Sequence, residues 1–310
     1  MRSYVARRLL LMIPTFLGIS LLTFFVAQLA PGDPFLLDHD TAGLDADALA
    51  RARAQHGLDS PLPLQFARWL GKVVRLDFGR SLIDSRPVME KVAEALPRTG
   101  IVAGLALLLA FGAAVPLGVW LATRRDWKRR GVEALLLAGW SVPSFWVAVL
   151  GLLLFASPHY LDLLPAQGLS AAGLVLPVIC LAFPSLVVAT AQVRTAMQHA
   201  LRQDYVKAAR ARGIPERRVV WVHALRNSLL PLVTFLGLQL PMLVGGSVII
   251  ERVFSIPGMG MLAFDAIGTR DYPTVMGVAT VMALATLSST LLVDLAYGVL
   301  DPRIRLERTA

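Results

Sequence analysis

Six apolar runs dominate the chain, at residues 9–30, 101–121, 134–156, 172–193, 229–250 and 275–300. Each is long enough to cross a bilayer as a helix, which takes about 20 residues. The first follows Arg2, Arg7 and Arg8, as a secretory leader does. Its 22 uncharged residues exceed the usual leader core, and Pro31 follows at once, so it is read as a retained helix, with cleavage as the alternative. Between the runs lie polar stretches whose patterning predicts further helices. In 31–99, Asp45 caps a predicted helix reaching Gln55, with Gly57 as its stop. A second covers 63–74, with Phe66, Trp69, Leu70 and Val73 on one side, and a third covers 88–96, leading through Pro97 into the second run.

The polar stretch 194–228 holds the most informative pattern. Asp204 is a good N-cap, the residues from Tyr205 to Arg212 are mostly good helix formers, and Gly213 suits a left-handed stop. Pro215 then fits the first turn of another short helix, with Glu216 beside it to suit the dipole. Tyr205, Ala208, Ala209 and Arg212 recur at i, i+3, i+4 and i+7 and so share a face, with two small side chains in its middle. Small residues let another surface approach closely. Two readings stand on pattern alone: a helix that docks in a partner's groove, or a basic loop that only fixes topology.

Charge sets the orientation. Of 310 residues, 56% are hydrophobic and only 16% charged, and mean hydropathy is +0.63. The net charge of +9 would suggest nucleic acid in a soluble protein. Here the basic residues cluster in short loops, which is the positive-inside pattern of a membrane protein, so no nucleic-acid partner is expected. Five lie in 123–131, eight in 194–228, three before the first run and three after Leu300. The loops 157–171 and 251–274 have none and two. The sequence thus predicts an all-α polytopic membrane protein of six transmembrane helices, N-in/C-in. It comprises an N-terminal helix (1–30), a folded external segment (31–99), a core of five transmembrane helices (100–300) carrying the cytoplasmic loop 194–228, and a cytoplasmic tail (301–310).

Inside the runs, Pro116, Pro143, Pro177, Pro184 and Pro241 break helical hydrogen bonds. Gly245 and Gly246 permit close packing, and Gln239 is polar near mid-span. Gln239, Pro241, Gly245 and Gly246 are the candidate pathway-lining residues, with ordinary helix packing as the alternative. Asp294 is read as one half of a structural ion pair with a loop arginine, with a proton relay as the alternative. Enzymatic chemistry is not legible. There is no phosphate-binding P-loop motif and no H-E-x-x-H. His39 and His56 lack metal-ligand spacing, and Asp33, Asp38, Asp40, Asp45 and Asp47 read as a solvated acidic face. Single Cys180 excludes an internal disulfide. No catalytic residue and no metal site are assigned.

The chain resembles the membrane-spanning permease subunits of binding-protein-dependent ABC importers, and most closely the first of the two permeases of dipeptide/oligopeptide importers. That family's cytoplasmic signature is E-A-A, three residues, then Gly, with an apolar-Pro element further on. Here it reads Lys207-Ala208-Ala209-x-x-x-Gly213, then Leu229-Leu230-Pro231, with Lys in the place of Glu. Further matches are Pro31-Gly32-Asp33-Pro34, Gly57-Leu58-Asp59-x-Pro61-Leu62, Asp77-Phe78-Gly79-Arg80-Ser81, Leu164-Pro165-Ala166-Gln167-Gly168, His223-Ala224-Leu225-Arg226-Asn227, Phe254-Ser255-Ile256-Pro257-Gly258-Met259-Gly260, Arg270-Asp271-Tyr272-Pro273 and Asp301-Pro302-Arg303.

The resemblance implies a type I ABC importer permease fold in the bacterial inner (cytoplasmic) membrane. It implies four kinds of partner: a second homologous permease, two ATPase subunits that bind ATP and magnesium, an extracytoplasmic solute-binding protein, and the peptide. No cofactor is implied in this chain. Asp204, Tyr205, Ala208, Ala209, Arg212 and Gly213 would form the coupling helix held by one ATPase. On that reading Gly213→Trp or Ala209→Glu abolishes transport and leaves insertion intact. Within the family, nickel and glutathione importers share this permease type. Outside it stand a secondary transporter, which wants paired intramembrane charges or inverted halves, and an intramembrane enzyme or assembly protein.

Overall fold

The computed structural model describes residues 2–29, 60–166 and 168–300, and the side chains of most of them. The predicted helix over 45–55, the two histidines and five aspartates before residue 60, the side chain of Asp294, and the tail motif 301–303 lie outside the described residues. The described chain is helical, and its one β element is an isolated bridge between Arg80 and Pro87. It divides into two compact units, residues 1–99 with 257–291, and residues 100–256 with 292–310.

In the first unit, α1 (Arg2–Leu29) runs unbroken through Pro14. Next comes α2 (Leu62–Val73), with Pro61 and Pro63 setting its first turn. Its inward residues are Phe66, Trp69, Leu70 and Val73, the side that the spacing picks out. Phe24 of α1 meets Phe66 edge-on at 5.4 Å and lies 6.1 Å from Trp69. The loop 74–87 packs Phe78 into a core with Val73, Val88, Val92, Ala95, Met259 and Val278. There is no separate helix over 88–96. One helix, α3 (Val88–Thr123), continues through Pro97 and Pro116 for 36 residues. At 1.5 Å per residue it is about 54 Å long, against a hydrocarbon core of about 30 Å. Pro97 does not break it, because a proline in a continuing helix costs a hydrogen bond that local adjustment can absorb.

In the second unit, the third apolar run is two helices, α4 (Trp127–Ser141) and α5 (Ser144–Phe155), meeting at 96° across Val142 and Pro143. α6 (Val175–Ala200) is long and passes through Pro184. α7 (Asp204–Ala211) is followed by α8 (Glu216–Ser228), whose middle, Val219–Ala224, is a π-helical turn. The fifth run is not the single helix that the hydropathy predicts. It is α9 (Leu230–Gln239), α10 (Met242–Gly245) and α11 (Val248–Val253). Pro241 and a positive-φ Gly246 (+58°) interrupt it. Returning to the first unit, α12 (Met259–Gly268) leads into α13 (Tyr272–Leu300), whose last residues belong to the second.

Among the described residues, four helices are long and apolar enough to cross a membrane unbroken, and up to six spans result if each bent pair counts as one. The protein is a multi-pass, all-α membrane protein. Many large apolar side chains stay exposed along these helices, for example Leu108 at 73% and Leu22 at 67%, as lipid-facing positions do.

Candidate functional site

Two side chains fasten α7 to the second unit. Val206 is fully buried and Ala209 is 7% exposed. Both belong to a core shared with Ala114 and Val119 of α3, Val193, Met197 and Ala200 of α6, and Val219, Val220 and Ala224 of α8. The spacing of three residues puts them on one side of the helix. Tyr205, Lys207, Ala208, Arg210 and Arg212 are exposed. The predicted face Tyr205–Ala208–Ala209–Arg212 is thereby split. Ala209 turns inward, and only the other three face out. Val206, within the segment expected to protrude, is the deepest residue of the helix. An apolar side chain loses little by burial and gains contacts, which a sequence-spacing argument centred on Ala208 and Ala209 does not see.

The N-cap is one residue earlier than expected. Gln203 takes the extended cap position without a side-chain cap bond, and Asp204 is the first helical residue. Its carboxylate still suits the positive end of the dipole. It accepts from Lys207 Nζ at 2.8 Å, which holds the carboxyl below its ordinary range. The helix stops as the glycine predicts. Gly213 has φ +75°, its N–H donates to Arg210 O at 2.9 Å, and Ile214 N–H donates to Ala209 O at 3.3 Å. This crossed pair of bonds is the Schellman motif. Arg210 then reaches across to Glu216 with two bonds, Nε–Oε2 at 3.0 Å and Nη2–Oε1 at 2.6 Å. A bidentate fork of this kind fixes direction as well as distance. The α7–α8 corner is therefore rigid, and Arg212 projects from it with no ion-pair partner among the described residues.

Beside the first turn of α7 is an open cavity of about 940 Å³. Leu137 and Trp140 of α4 and Val187, Val188 and Ala191 of α6 form its apolar wall. Gln192, Thr195, His199, Gln203, Tyr205 and Asn227 form its polar wall. Gln203 Nε2 and His199 Nε2 lie 3.0 Å apart. Sequence reasoning missed this wall, although a signal was there. Residues 192, 195, 199 and 203 repeat at helical spacing through the end of an apolar run.

The candidate pathway residues lie elsewhere. Gln239 donates from Nε2 to Ser185 Oγ at 2.6 Å, joining α9 to α6. Pro241, Gly245 and Gly246 lie at the interruption of the fifth run. Gly237, one turn before, has no room for a side chain, since a Cβ would sit 2.1 Å from Val293 Cγ2.

The first unit holds a buried polar cluster that joins two of the sequence motifs. The Asp271 carboxylate, 2% exposed, accepts from Ser81 Oγ, from Leu82 N–H at 3.0 Å and from Thr274 Oγ1 at 2.6 Å. Lys91 Nζ lies 3.8 Å from it and 2.9 Å from Asp84 Oδ2. The segment Asp77 to Ser81 is thus tied to the start of α13.

Comparison with known proteins gives a consistent result. Residues 1–103 match the N-terminal domain of the membrane components of binding-protein-dependent transport systems, and residues 114–306 match the inner membrane component itself. The oligopeptide transport system permease protein AppB of Bacillus subtilis is 35% identical, covering 98% of this chain and 99% of its own. A putative peptide transport system permease protein of Brucella abortus is 36% identical with the same coverage. The dipeptide transport system permease protein DppB of Escherichia coli is 34% identical, again over 98% and 99%. With both of its parts matched and such relatives along nearly its whole length, the chain belongs to the family of binding-protein-dependent transport system inner membrane components, the permease subunits of ABC transporters.

Proposed function

We propose that this chain is one of two permease subunits of an ATP-driven importer of di- and oligopeptides in the bacterial inner (cytoplasmic) membrane. A second, homologous permease completes the pathway, two ATPase subunits bind ATP and magnesium, and an extracytoplasmic binding protein delivers the peptide. This chain does not hydrolyse ATP. The names of the relatives, all peptide, oligopeptide or dipeptide permeases, favour peptide over nickel or glutathione.

The observation that carries the reading is the two-sided build of α7. Its inner side is bolted through Val206 and Ala209 to a core shared with α3, α6 and α8. Its outer side offers Tyr205, a methyl-sized Ala208 and the cation of Arg212. Such a helix transmits a push from a docked partner to the bundle without bending, because packed cores move as units. In this role Asp204 and Gly213 set the two ends of the coupling helix, and Ala209 anchors it. ATP must favour one orientation of the pathway by a few kcal/mol for the populations to switch. Gln239, Pro241, Gly245 and Gly246 are proposed to line that pathway, since interrupted helices at membrane depth are tolerated where they face protein or a water-filled cavity.

The test is reconstitution of the whole importer in vesicles with Ala208→Glu in this chain. The expected result is a normally assembled complex whose ATP hydrolysis no longer drives uptake of trialanine. Uptake at the wild-type rate would remove the coupling role from α7.

A further inference from the structure

One ion pair in the second unit joins two helices that share no core. Glu133 of α4 stands just before the third apolar run, and Arg194 of α6 just after the fourth. Arg194 Nη1 lies 2.9 Å from Glu133 Oε1. Arg129, one turn earlier on α4, brings its Nε to 3.8 Å from the same oxygen. The Glu133 and Arg194 side chains are 20% and 32% exposed. Glu133 Oε1 and the Nε atoms of both arginines are shielded from water yet make no hydrogen bond among the described residues. Charge attraction is therefore what holds the contact, and shielding keeps salt from weakening it.

α4 has little else to hold it. None of its residues is buried. Trp127, Leu135, Leu137 and Trp140 are all more than half exposed. A second attachment to α6 is steric. The ring of Phe183 lies on Gly139, where a Cβ would come within 2.7 Å of it. Glu133 and Gly139 stand about 9 Å apart along the helix. So α4 has a packed attachment to α6 at its deep end and a charged one at the end near the polar loop.

α6 is the opposite case. Val193, Met197 and Ala200 lie in the core that also holds Val206 and Ala209 of α7. α6 and α7 therefore move as one body. Arg194 directly follows Val193 on that body. The open cavity beside α7 has α4 on one side and α6 on the other. Whether it keeps its width when α7 is pushed depends on whether α4 follows α6.

We propose that Glu133 and Arg194 are positioning residues for transport, and that their ion pair makes α4 follow α6 and α7, which sets the width of the cavity between α4 and α6. The proposal rests on the reading of α7 as the coupling helix. It assigns neither residue a contact with the transported molecule.

The test uses the complete importer in proteoliposomes, with trialanine uptake and ATP hydrolysis measured on the same vesicles. Glu133→Gln and Arg194→Gln are each expected to lower uptake per ATP hydrolysed roughly tenfold, within the range of coupling between residues in contact. The charge-exchanged double variant, Glu133→Arg with Arg194→Glu, is expected to recover most of that loss. Removing one partner leaves the other charge uncompensated. Should a single variant fail to assemble for that reason, Glu133→Gln combined with Arg194→Gln replaces it, with the same loss expected. Spin labels at Leu135→Cys on α4 and Val222→Cys on α8, both exposed positions, read the motion itself in a Cys180→Ala background. Their separation is expected to stay the same with and without ATP while the pair is intact, and to change with ATP once it is broken.

Uptake per ATP that is unchanged in the single variants overturns the clamp and leaves the coupling role of α7 standing. Uptake and hydrolysis that fall in the same proportion make the pair a stabilising contact only, which overturns it too. So does an exchanged double variant as poorly coupled as the single ones, or a label separation that responds to ATP alike with and without the pair. If Ala208→Glu transports normally, the coupling role falls and the clamp falls with it.

Discussion

Gly213 ends α7 with a left-handed residue, and among the described residues it is one of four places where the same crossed hydrogen bonds stop a helix. Leu76, Ser255 and Arg270 do so too, at φ +57°, +51° and +57°. Asp77 N–H reaches Lys72 O at 3.0 Å, Ile256 N–H reaches Glu251 O at 2.8 Å and Asp271 N–H reaches Ala266 O at 2.8 Å. Only the glycine is legible in the sequence, because glycine is the one residue that takes this conformation without cost. The other three are enforced by what surrounds them. At Arg270 the enforcement is visible, since the next residue is the buried Asp271. Ser255→Gly is therefore expected to raise stability by up to about 1 kcal/mol, seen as a higher melting temperature in detergent. Asp271→Ala removes the acceptor of three hydrogen bonds and leaves Lys91 with Asp84 and the Ser81 hydroxyl. A loss of about 3 kcal/mol is expected, with the loop 77–87 becoming sensitive to protease. Ala209 and Ala208 separate the two uses of neighbouring alanines. Ala209→Glu puts a charge into the core and is expected to lower the amount of folded protein in the membrane, whereas Ala208→Glu leaves that amount unchanged and acts only on transport. Immunoblotting of membranes beside an uptake assay distinguishes them.

Elements are where hydropathy says least about shape. The run 134–156 reads as one span, yet α4 and α5 meet at 96°. Composition reports how apolar a stretch is and carries no direction, and Pro143 marks the break without giving its angle. The run 229–250 fails in a more readable way, since Pro241 is visible as an interruption, whereas Gly246 reads as a packing glycine, and the structure breaks at both. The π-helical turn in α8 left no trace, because nothing in its residues, Val219 to Ala224, separates a π-helical turn from an α-helical one. Contact between helices was equally hidden. Gly118 and Gly112 look alike in sequence. A Cβ on Gly118 would lie 2.6 Å from Val193 Cβ, while one on Gly112 meets nothing within 4 Å. Gly118→Val is accordingly expected to separate α3 from α6 and cost about 1–3 kcal/mol by overpacking, and Gly112→Val to be nearly neutral. Thermal melting of the two purified variants, run side by side, checks the pair. Equal melting temperatures would mean that α3 and α6 do not approach at Gly118.

At the scale of the whole molecule, charge makes the strongest remaining claim. Among the short loops, Lys and Arg are concentrated in 123–131 and 194–228, while 157–171 and 251–274 carry none and two. Short loops rich in Lys and Arg tend to stay in the cytoplasm, so this bias predicts a cytoplasmic α7. Three crossings between it and α7 would put the loop 74–87, tied to the start of α13 through Asp271, on the far side. The segment 31–99 cannot orient itself by charge, because its nine basic residues are balanced by ten acidic ones and its length exempts it. Its placement depends entirely on how many times the chain crosses on either side of it. A direct measurement is available because the chain has one cysteine, Cys180, which is buried. In that background Arg212→Cys is expected to react with a membrane-impermeant maleimide in inside-out vesicles and not in intact spheroplasts. Ile83→Cys, on an exposed position of the loop, is expected to do the reverse. Labelling of both residues from one side would mean that an odd number of crossings does not separate them. The bent pair α4–α5, which lies between the two residues, would then be re-entrant, and α7 would stand on the same side as the loop 74–87.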